Sequence, residues 1–416
     1  MIFRPQFFFK DKYLISKIKR EKILNSNIEN IVSSNKIFSV QDAKILAKRR
    51  LPKLVFDFVD GSSGNEKLSE INNFAIDQIR LDPRVLINVV ERSLKTNFLN
   101  IENNYPFGFA PMGMCNLTWP KADNILAIEA SKNKIPICTS MASSTSLEEI
   151  FKLSNGRAWL QIYIGQDEDF VMELINRANN CGYKVIILTV DVPVLSRRVR
   201  DERNGWNVPF KMGLKQFIDF ALHPNWSLRT LINGVPKPMN YETSSSGKGF
   251  VRNESRGGND WKTLEMLRKK WKGSLIVKGV MHSDDAVKIK NAGADAVYVS
   301  NHGGRQLDSA PASIYALPLI RKAVGKDFPL IFDSGIRGGG DILKALALGA
   351  DFVMLGRPLM YAIGADGASG LRKILDIIKE DLSTSLGLVG LDDITKVSNS
   401  ILAEDFKNRQ RKTVLY

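Results

Sequence analysis

Cysteine is scarce, with Cys115, Cys138 and Cys181 the only three in 416 residues. The set is odd and widely spaced, with no CxxC and no Cys/His ligand pair. That excludes a disulfide scaffold and a finger-type zinc site, and no metal site is expected. A reducing compartment fits, with the thiols as small core residues. Histidine is equally rare: His223, His282 and His302 are the only candidates for imidazole chemistry. No run of about 18 apolar residues occurs, which leaves no integral membrane span.

Acidic residues are also in short supply, 44 Asp+Glu against 59 Lys+Arg, a net charge of +15. Such a surplus points to an anionic partner, or simply to a Lys-rich solubilising surface. At 44% hydrophobic and 25% charged the chain is neither disordered nor collagen-like. Its length allows one large barrel or two to three ordinary domains. Residues 1–36 set Arg4, Lys10, Lys12, Lys17, Lys19, Arg20, Lys22 and Lys36 against Asp11, Glu21 and Glu29. Phe7-Phe8-Phe9 is too short for a signal-peptide core, and the segment reads as a basic N-terminal arm. The main domain is placed at 37–403, with 404–416 a C-terminal tail.

Short β-rich runs recur at 106–110, 136–140, 158–164, 184–190, 275–280, 296–300, 329–333 and 352–355. Most precede stretches of helical apolar spacing, such as 167–180, 283–292 and 340–348. Gly182, Gly293 and Gly349 mark helix ends that lead into the next strand. Eight strand–helix units argue for an α/β fold of the (β/α)8 TIM-barrel type; a doubly wound sheet is the alternative. A helical extension is expected before the barrel. After the fourth strand comes a connection of about 85 residues, far beyond ordinary loop length. In this insert (199–262) Phe210, Leu214, Phe217, Ile218 and Ala221 fall at helical spacing beside Lys211 and Lys215. Trp226, Leu228 and Leu231 follow, then a Ser/Gly-rich stretch, 243–259, of linker composition. Two readings stand: a membrane-docking or substrate-covering insert, or a subdomain packed on the barrel rim.

In such barrels chemistry sits where strands end. The strand ends here carry Pro111-Met112-Gly113, Ser140, Gln161 with Tyr163, Thr189 with Asp191, Lys278, Ser300 with His302 and Arg305, Asp333 with Gly335 and Arg337, and Gly356-Arg357. Charged groups at a barrel mouth cost desolvation energy unless a ligand or partner satisfies them. The run 334–340 with Gly356-Arg357 reads as a phosphate cradle, tight turns being the alternative. His302 has the character of a general base, and Asp191 is placed to orient its ring. His223 and His282 read as structural.

These residues resemble the FMN-dependent (S)-2-hydroxy acid oxidases and dehydrogenases, from about residue 38 to 403. The resemblance is carried by Leu51-Pro52-Lys53, Leu188-Thr189-Val190-Asp191, Val277-Lys278-Gly279, Ser300-Asn301-His302-Gly303-Gly304-Arg305-Gln306-Leu307-Asp308 and Lys344-Ala345-Leu346-Ala347-Leu348-Gly349-Ala350. It implies that Pro111, Met112, Gly113, Ser140, Gln161, Thr189, Lys278, Ser300, Asp333, Gly335, Arg337, Gly356 and Arg357 surround FMN. Lys278 would lie at the flavin pyrimidine edge, with Arg337 and Arg357 at the phosphate. His302, paired with Asp191, would take the substrate proton. Arg198 and Arg305 would clamp its carboxylate, and Tyr163 would bond its hydroxyl or carboxylate region.

The chain departs from the family in reading Phe56-Asp57-Phe58 where many members carry a carboxylate-binding tyrosine at the position of Phe58. Ala142 stands where the oxidases tend to have tryptophan, and Gly113 resembles the dehydrogenase members. The resemblance therefore implies oxidation of an (S)-2-hydroxy acid, L-lactate or a bulkier one such as mandelate. With no haem domain before the barrel, electrons would pass to a membrane quinone or another acceptor. Peripheral contact with the inner face of a membrane, a cytoplasmic location and a homo-oligomer, tetrameric by resemblance, are expected. An oxidase using O2 and a non-redox FMN-dependent isomerase are the alternatives. The isomerase would need no carboxylate clamp. A catalytically inert membrane- or nucleic-acid-binding protein would have no use for a flavin cradle, and no nucleic acid is expected.

Overall fold

The computed structural model describes residues 37–165, 168–206, 212–241 and 256–404. The basic arm, Phe210 and Lys211 of the insert, 243–255 of the Ser/Gly-rich stretch and the tail from 405 lie outside the described residues.

All eight β-rich runs form strands, and they close into one barrel. A short hairpin, β1 (Thr96–Phe98) and β2 (Ile101–Asn103), precedes it. The barrel strands are β3 (Phe107–Met112), β4 (Ile137–Ser140), β5 (Ala158–Ile162), β6 (Val185–Thr189), β7 (Ser274–Val280), β8 (Ala296–Val299), β9 (Leu330–Phe332) and β10 (Phe352–Leu355). Every neighbouring pair is parallel, and β10 pairs with β3 to close the ring. Their continuous apolar runs follow from burial on both faces, inward to the barrel and outward to the helices. Val185, Ile187, Ala296, Tyr298, Ile331, Phe352 and Met354 fill the interior. Phe98 of the hairpin stacks on Phe352, with ring centroids 5.1 Å apart, and so closes the end where strands begin.

The helical extension consists of Val40–Arg50, Lys53–Asp60 and Lys67–Asp77. Its first helix packs against the long helix Arg357–Leu388, where Gly364 leaves no room for a Cβ beside Leu51, 2.8 Å away. The helix-ending glycines are left-handed, with φ of 95° at Gly182, 84° at Gly293 and 105° at Gly349. Cys115 and Cys138 are buried as expected, whereas Cys181 is half-exposed because it ends the helix Glu168–Cys181.

Between the short helix Val199–Arg203 and the helix Trp261–Lys270, the described residues of the insert form Leu214–Ala221 and Pro224–Asn233, with no buried residue in either of these two. Leu214, Phe217, Ile218, Leu222, Leu228, Leu231 and Ile232 are exposed. The second helix is nonetheless fixed to the barrel: Trp226 Nε1 donates to Leu117 O at 2.7 Å, and Arg229 lies over the Trp119 ring. The insert thus combines a rim attachment on one side with an unburied apolar face on the other.

Candidate active site

The C-terminal ends of the strands open into a cavity of about 1510 Å³. Parallel register sets its floor. Ser140 is level with Gln161, and Thr189 with Lys278. Ser140 Oγ donates to Gln161 Oε1 and Gln161 Nε2 to Thr189 Oγ1, each at 3.0 Å. Lys278, only 3% exposed, donates to Ser300 Oγ at 3.0 Å and has Asp333 Oδ2 at 3.9 Å. Asp333 also accepts from Tyr298 Oη at 2.7 Å and from Ser334 Oγ at 2.8 Å. A buried rank of amide, hydroxyl and ammonium groups is costly by itself and suits a polar heterocyclic edge.

His302 belongs to a turn that begins as β8 ends. Its φ is 58°, and Gly303 and Gly304 are also left-handed, at 64° and 79°. A Cβ on Gly304 would lie 2.8 Å from Ser69 N, so the second glycine is obligatory there. A non-glycine residue in this conformation costs about 1–2 kcal/mol and must be held. Ser300 Oγ accepts from His302 N, and Ser334 Oγ from Gly303 N, both at 3.0 Å. Asn301 and Asn72 exchange reciprocal buried amide bonds of 2.7 and 2.9 Å. The turn therefore presents the imidazole rigidly. His302 Nδ1 meets Asp191 Oδ1 at 3.0 Å and Oδ2 at 3.1 Å. Burial lowers the imidazole below its ordinary pKa, and the Asp191 carboxylate offsets this only in part. Burial would raise Asp191, but its electrostatic and hydrogen-bond interactions with His302, together with the Lys278 charge, outweigh it and hold the carboxyl low. The pair is a neutral imidazole oriented by a carboxylate, which is what a base needs.

Tyr163, Arg198, Arg305 and Phe58 line the same cavity. Burial pushes the Tyr163 phenol up, so its hydroxyl stays protonated as a donor. Arg305 Nη1 donates to Phe58 O at 2.9 Å and Gly61 O at 2.8 Å, which ties the guanidinium to the end of the helix Lys53–Asp60. Phe58 stacks on Trp206 at 4.7 Å, a wall that sequence reasoning did not anticipate. Arg256, near the end of the insert, was also missed; it is 7% exposed and lies 5.0 Å over the Tyr163 ring. Neither residue sits at a strand end, where the sequence signal was sought. Gly113 abuts Ala142, so that a Cβ there would lie 2.9 Å from the Ala142 methyl.

The glycine-rich run divides in two. Gly335, Arg337, Gly356 and Arg357 line the cavity, but Gly338, Gly339 and Gly340 do not. Gly339 is a packing glycine, since a Cβ would fall 2.0 Å from Leu382 N. The amides of Arg337 and Gly338 are capped by Asp341 Oδ2 at 2.9 and 3.3 Å. The cradle read over 334–340 therefore shrinks to its first half. Arg357 lines the cavity and is also held by backbone carbonyls: its nitrogens donate to Gly303 O, Gly61 O and Val59 O at 2.8, 2.9 and 3.3 Å. It staples the His302 turn to the helix end. Arg337, whose pKa is lowered by burial, remains the cation suited to a phosphate. The other two histidines serve locally: His282 Nδ1 accepts from Asp284 N at 3.2 Å, and His223 Nδ1 lies 2.7 Å from Asp219 O.

A buried polar rank on one side, a cation with side-chain-free glycine turns on the other and a carboxylate-oriented imidazole between them fit a flavin-dependent dehydrogenase. Residues 47–404 match the FMN-dependent dehydrogenase family model, and the chain belongs to that family. It is 35% identical over 377 residues to (S)-mandelate dehydrogenase of Pseudomonas putida, spanning 89% of this chain and 95% of the relative. It is 34% identical to L-lactate dehydrogenase of Pseudomonas syringae pv. syringae (strain B728a), over 88% of this chain and 99% of that one. The solved structure of the monotopic membrane protein (S)-mandelate dehydrogenase superposes with a TM-score of 0.85 at 35% identity, covering 89% of this chain and 100% of the other. The protein is an FMN-dependent oxidoreductase of the 2-hydroxy acid dehydrogenase type, acting on a CH–OH group.

Proposed function

We propose that the protein oxidises an (S)-2-hydroxy acid, L-lactate or a bulkier one such as mandelate, to the 2-oxo acid. The observation that carries this is the His302–Asp191 pair, with His302, Arg198 and Arg305 lining one cavity. Ser140, Gln161, Thr189, Lys278 and Ser300 would hold the flavin ring edge, beside Pro111, Met112, Gly113 and Asp333. Gly335, Arg337, Gly356 and Arg357 would enclose the phosphate end. Bound there, FMN supplies the two-electron acceptor. Arg198 and Arg305 pair with the carboxylate, and Tyr163 donates to the hydroxyl or carboxylate region. With the substrate so held, Nε2 of His302 takes a proton while Asp191 stabilises the imidazolium.

The electrons leave, on this reading, for a quinone in a membrane on which the insert rests. Among the described residues no helix is long and apolar enough to cross a membrane. The exposed apolar faces of Leu214–Ala221 and Pro224–Asn233 instead suit a helix pair lying in the interface, as a monotopic protein requires. A location on the inner face of a membrane and a homo-oligomer complete the proposal. An anaerobic screen of 2-hydroxy acids by flavin bleaching, repeated with oxygen or a quinone, tests substrate and acceptor together. Bleaching by none of them overturns the substrate reading. Reoxidation by oxygen alone overturns the acceptor reading.

A further inference from the structure

Three carboxylates of the N-terminal segment converge on one guanidinium from beyond β6. Arg200 Nη1 lies 3.2 Å from Asp57 Oδ1 and 2.8 Å from Asp60 Oδ2. Its Nε and Nη2 lie 2.9 and 2.5 Å from Glu66 Oε2. Asn204 Nδ2 donates to Asp57 Oδ2 at 2.7 Å, while Lys44 and the Tyr361 hydroxyl meet Asp60 Oδ1 at 2.7 and 2.6 Å. The side chains of Asp57 and Asp60 are 7% and 9% exposed, so water screens these pairs far less than a surface bridge. Although burial works to raise it, Asp60 is held far below the usual carboxylate range by Lys44, Tyr361 and Arg200. The interaction is thus strong in the folded protein, yet Arg200 does not line the cavity.

What the cluster joins is more telling. Arg198 stands two residues before Arg200 on the same segment. Opposite it, the helix Lys53–Asp60 ends in the carbonyls that seat Arg305. Backbone bonds from Gly64 N to Arg197 O and from Ser63 N to Gly304 O, both 3.0 Å, run alongside. We propose that Arg200 is a positioning residue: by locking its segment to that helix it fixes the separation of Arg198 and Arg305, and with it recognition of the substrate carboxylate. This rests on the assignment of Arg198 and Arg305 made above. A shift of about 1 Å in a clamp is enough to cost a large factor in recognition. The His302–Asp191 pair, held from β8 and β6, need not move.

The test uses the full-length, FMN-loaded protein with Arg200→Met, Arg200→Lys and Glu66→Gln. Oxalate, a carboxylate probe with no C–H to remove, is titrated by the change in flavin absorbance. KM and kcat for (S)-lactate and (S)-mandelate and the melting temperature are measured alongside. Arg200→Met is expected to weaken oxalate binding and raise KM by about tenfold or more, with kcat within about threefold. Arg200→Lys should recover part of the loss, and Glu66→Gln should shift both quantities less, in the same direction. Oxalate affinity within about twofold of the parent in Arg200→Met, alongside a lower melting temperature, means a purely structural ion cluster and overturns the proposal. If Arg200→Met does not retain FMN, unchanged oxalate affinity in both other variants overturns it equally. Arg198→Met and Arg305→Met are the control for the underlying reading. If neither weakens oxalate, the carboxylate assignment itself is wrong, whatever Arg200 does.

Discussion

Both oxygens of Asp191 lie within hydrogen-bond distance of one nitrogen of His302, at 3.0 and 3.1 Å. Nδ1 therefore carries the proton, and Nε2 is the lone-pair nitrogen available to substrate. Asp191→Asn keeps the shape but lets the other tautomer form, which turns the base into a donor. We expect kcat to fall by a factor on the order of 10²–10⁴ with FMN still bound. His302→Gln should likewise give yellow protein that substrate reduces at most very slowly. Normal anaerobic bleaching in either variant would remove the pair from the chemistry.

The same pair sets a pH dependence. Burial lowers His302 below the ordinary histidine value, so the base is neutral throughout the neutral range. In the free enzyme kcat/KM should rise with pH through a value below the histidine reference of about 6.5 and be flat by neutrality. The stability term has the same sign. A histidine whose folded pKa is depressed contributes its full stabilisation above the unfolded value, and that contribution is lost as pH falls through the folded one. Asp60, also depressed, adds to the loss at more acidic pH. A profile still rising above neutrality, recorded with one substrate at constant ionic strength, would contradict the assignment.

Much of this site was legible in sequence because a parallel barrel brings strand ends together, and β periodicity locates those ends. Ser140, Gln161, Thr189 and Lys278 could be placed from their own strands without knowing any contact. The rest depended on long-range geometry. Nothing near Arg200 in sequence reveals that Asp57, 143 residues away, is its partner. Nor does Trp206 announce its stack on Phe58. Glycine was the least informative signal, because the same residue type permits a left-handed turn at Gly335 and close helix packing at Gly339.

Phe58 offers a gain-of-function test. Its ring lies 5.5 Å from the Arg305 guanidinium carbon and lines the cavity, so a para-hydroxyl would add a donor close to the proposed carboxylate clamp. One such bond contributes about 0.5–1.5 kcal/mol net, roughly two- to tenfold in affinity. Phe58→Tyr is therefore expected to lower KM by that factor, with kcat little changed. Steady-state kinetics on the best substrate of the screen decides this. An unchanged or higher KM would show that the hydroxyl does not reach the carboxylate, and that the Phe58–Trp206 wall faces the substrate side chain instead.

The insert makes a prediction that is independent of the chemistry. Leu228 and Ile232 are 59% and 83% exposed and lie four residues apart on one helix, so both can enter a lipid interface together. Neither lines the cavity, whereas Leu231 between them does. Burying each side chain in the acyl boundary is favourable by up to about 1.5–3 kcal/mol, and a carboxylate in its place would also be repelled by anionic headgroups. Replacing both by Asp should reduce co-sedimentation with anionic vesicles by more than about tenfold per site. Substrate-driven flavin reduction in solution should stay as in the parent, because Trp226 and Arg229 still anchor the helix to the barrel. Turnover with a vesicle-embedded quinone should fall with vesicle binding. If the double variant binds vesicles like the parent, these helices are not the docking face. If it loses binding but keeps full quinone turnover, the acceptor is not reached through the membrane.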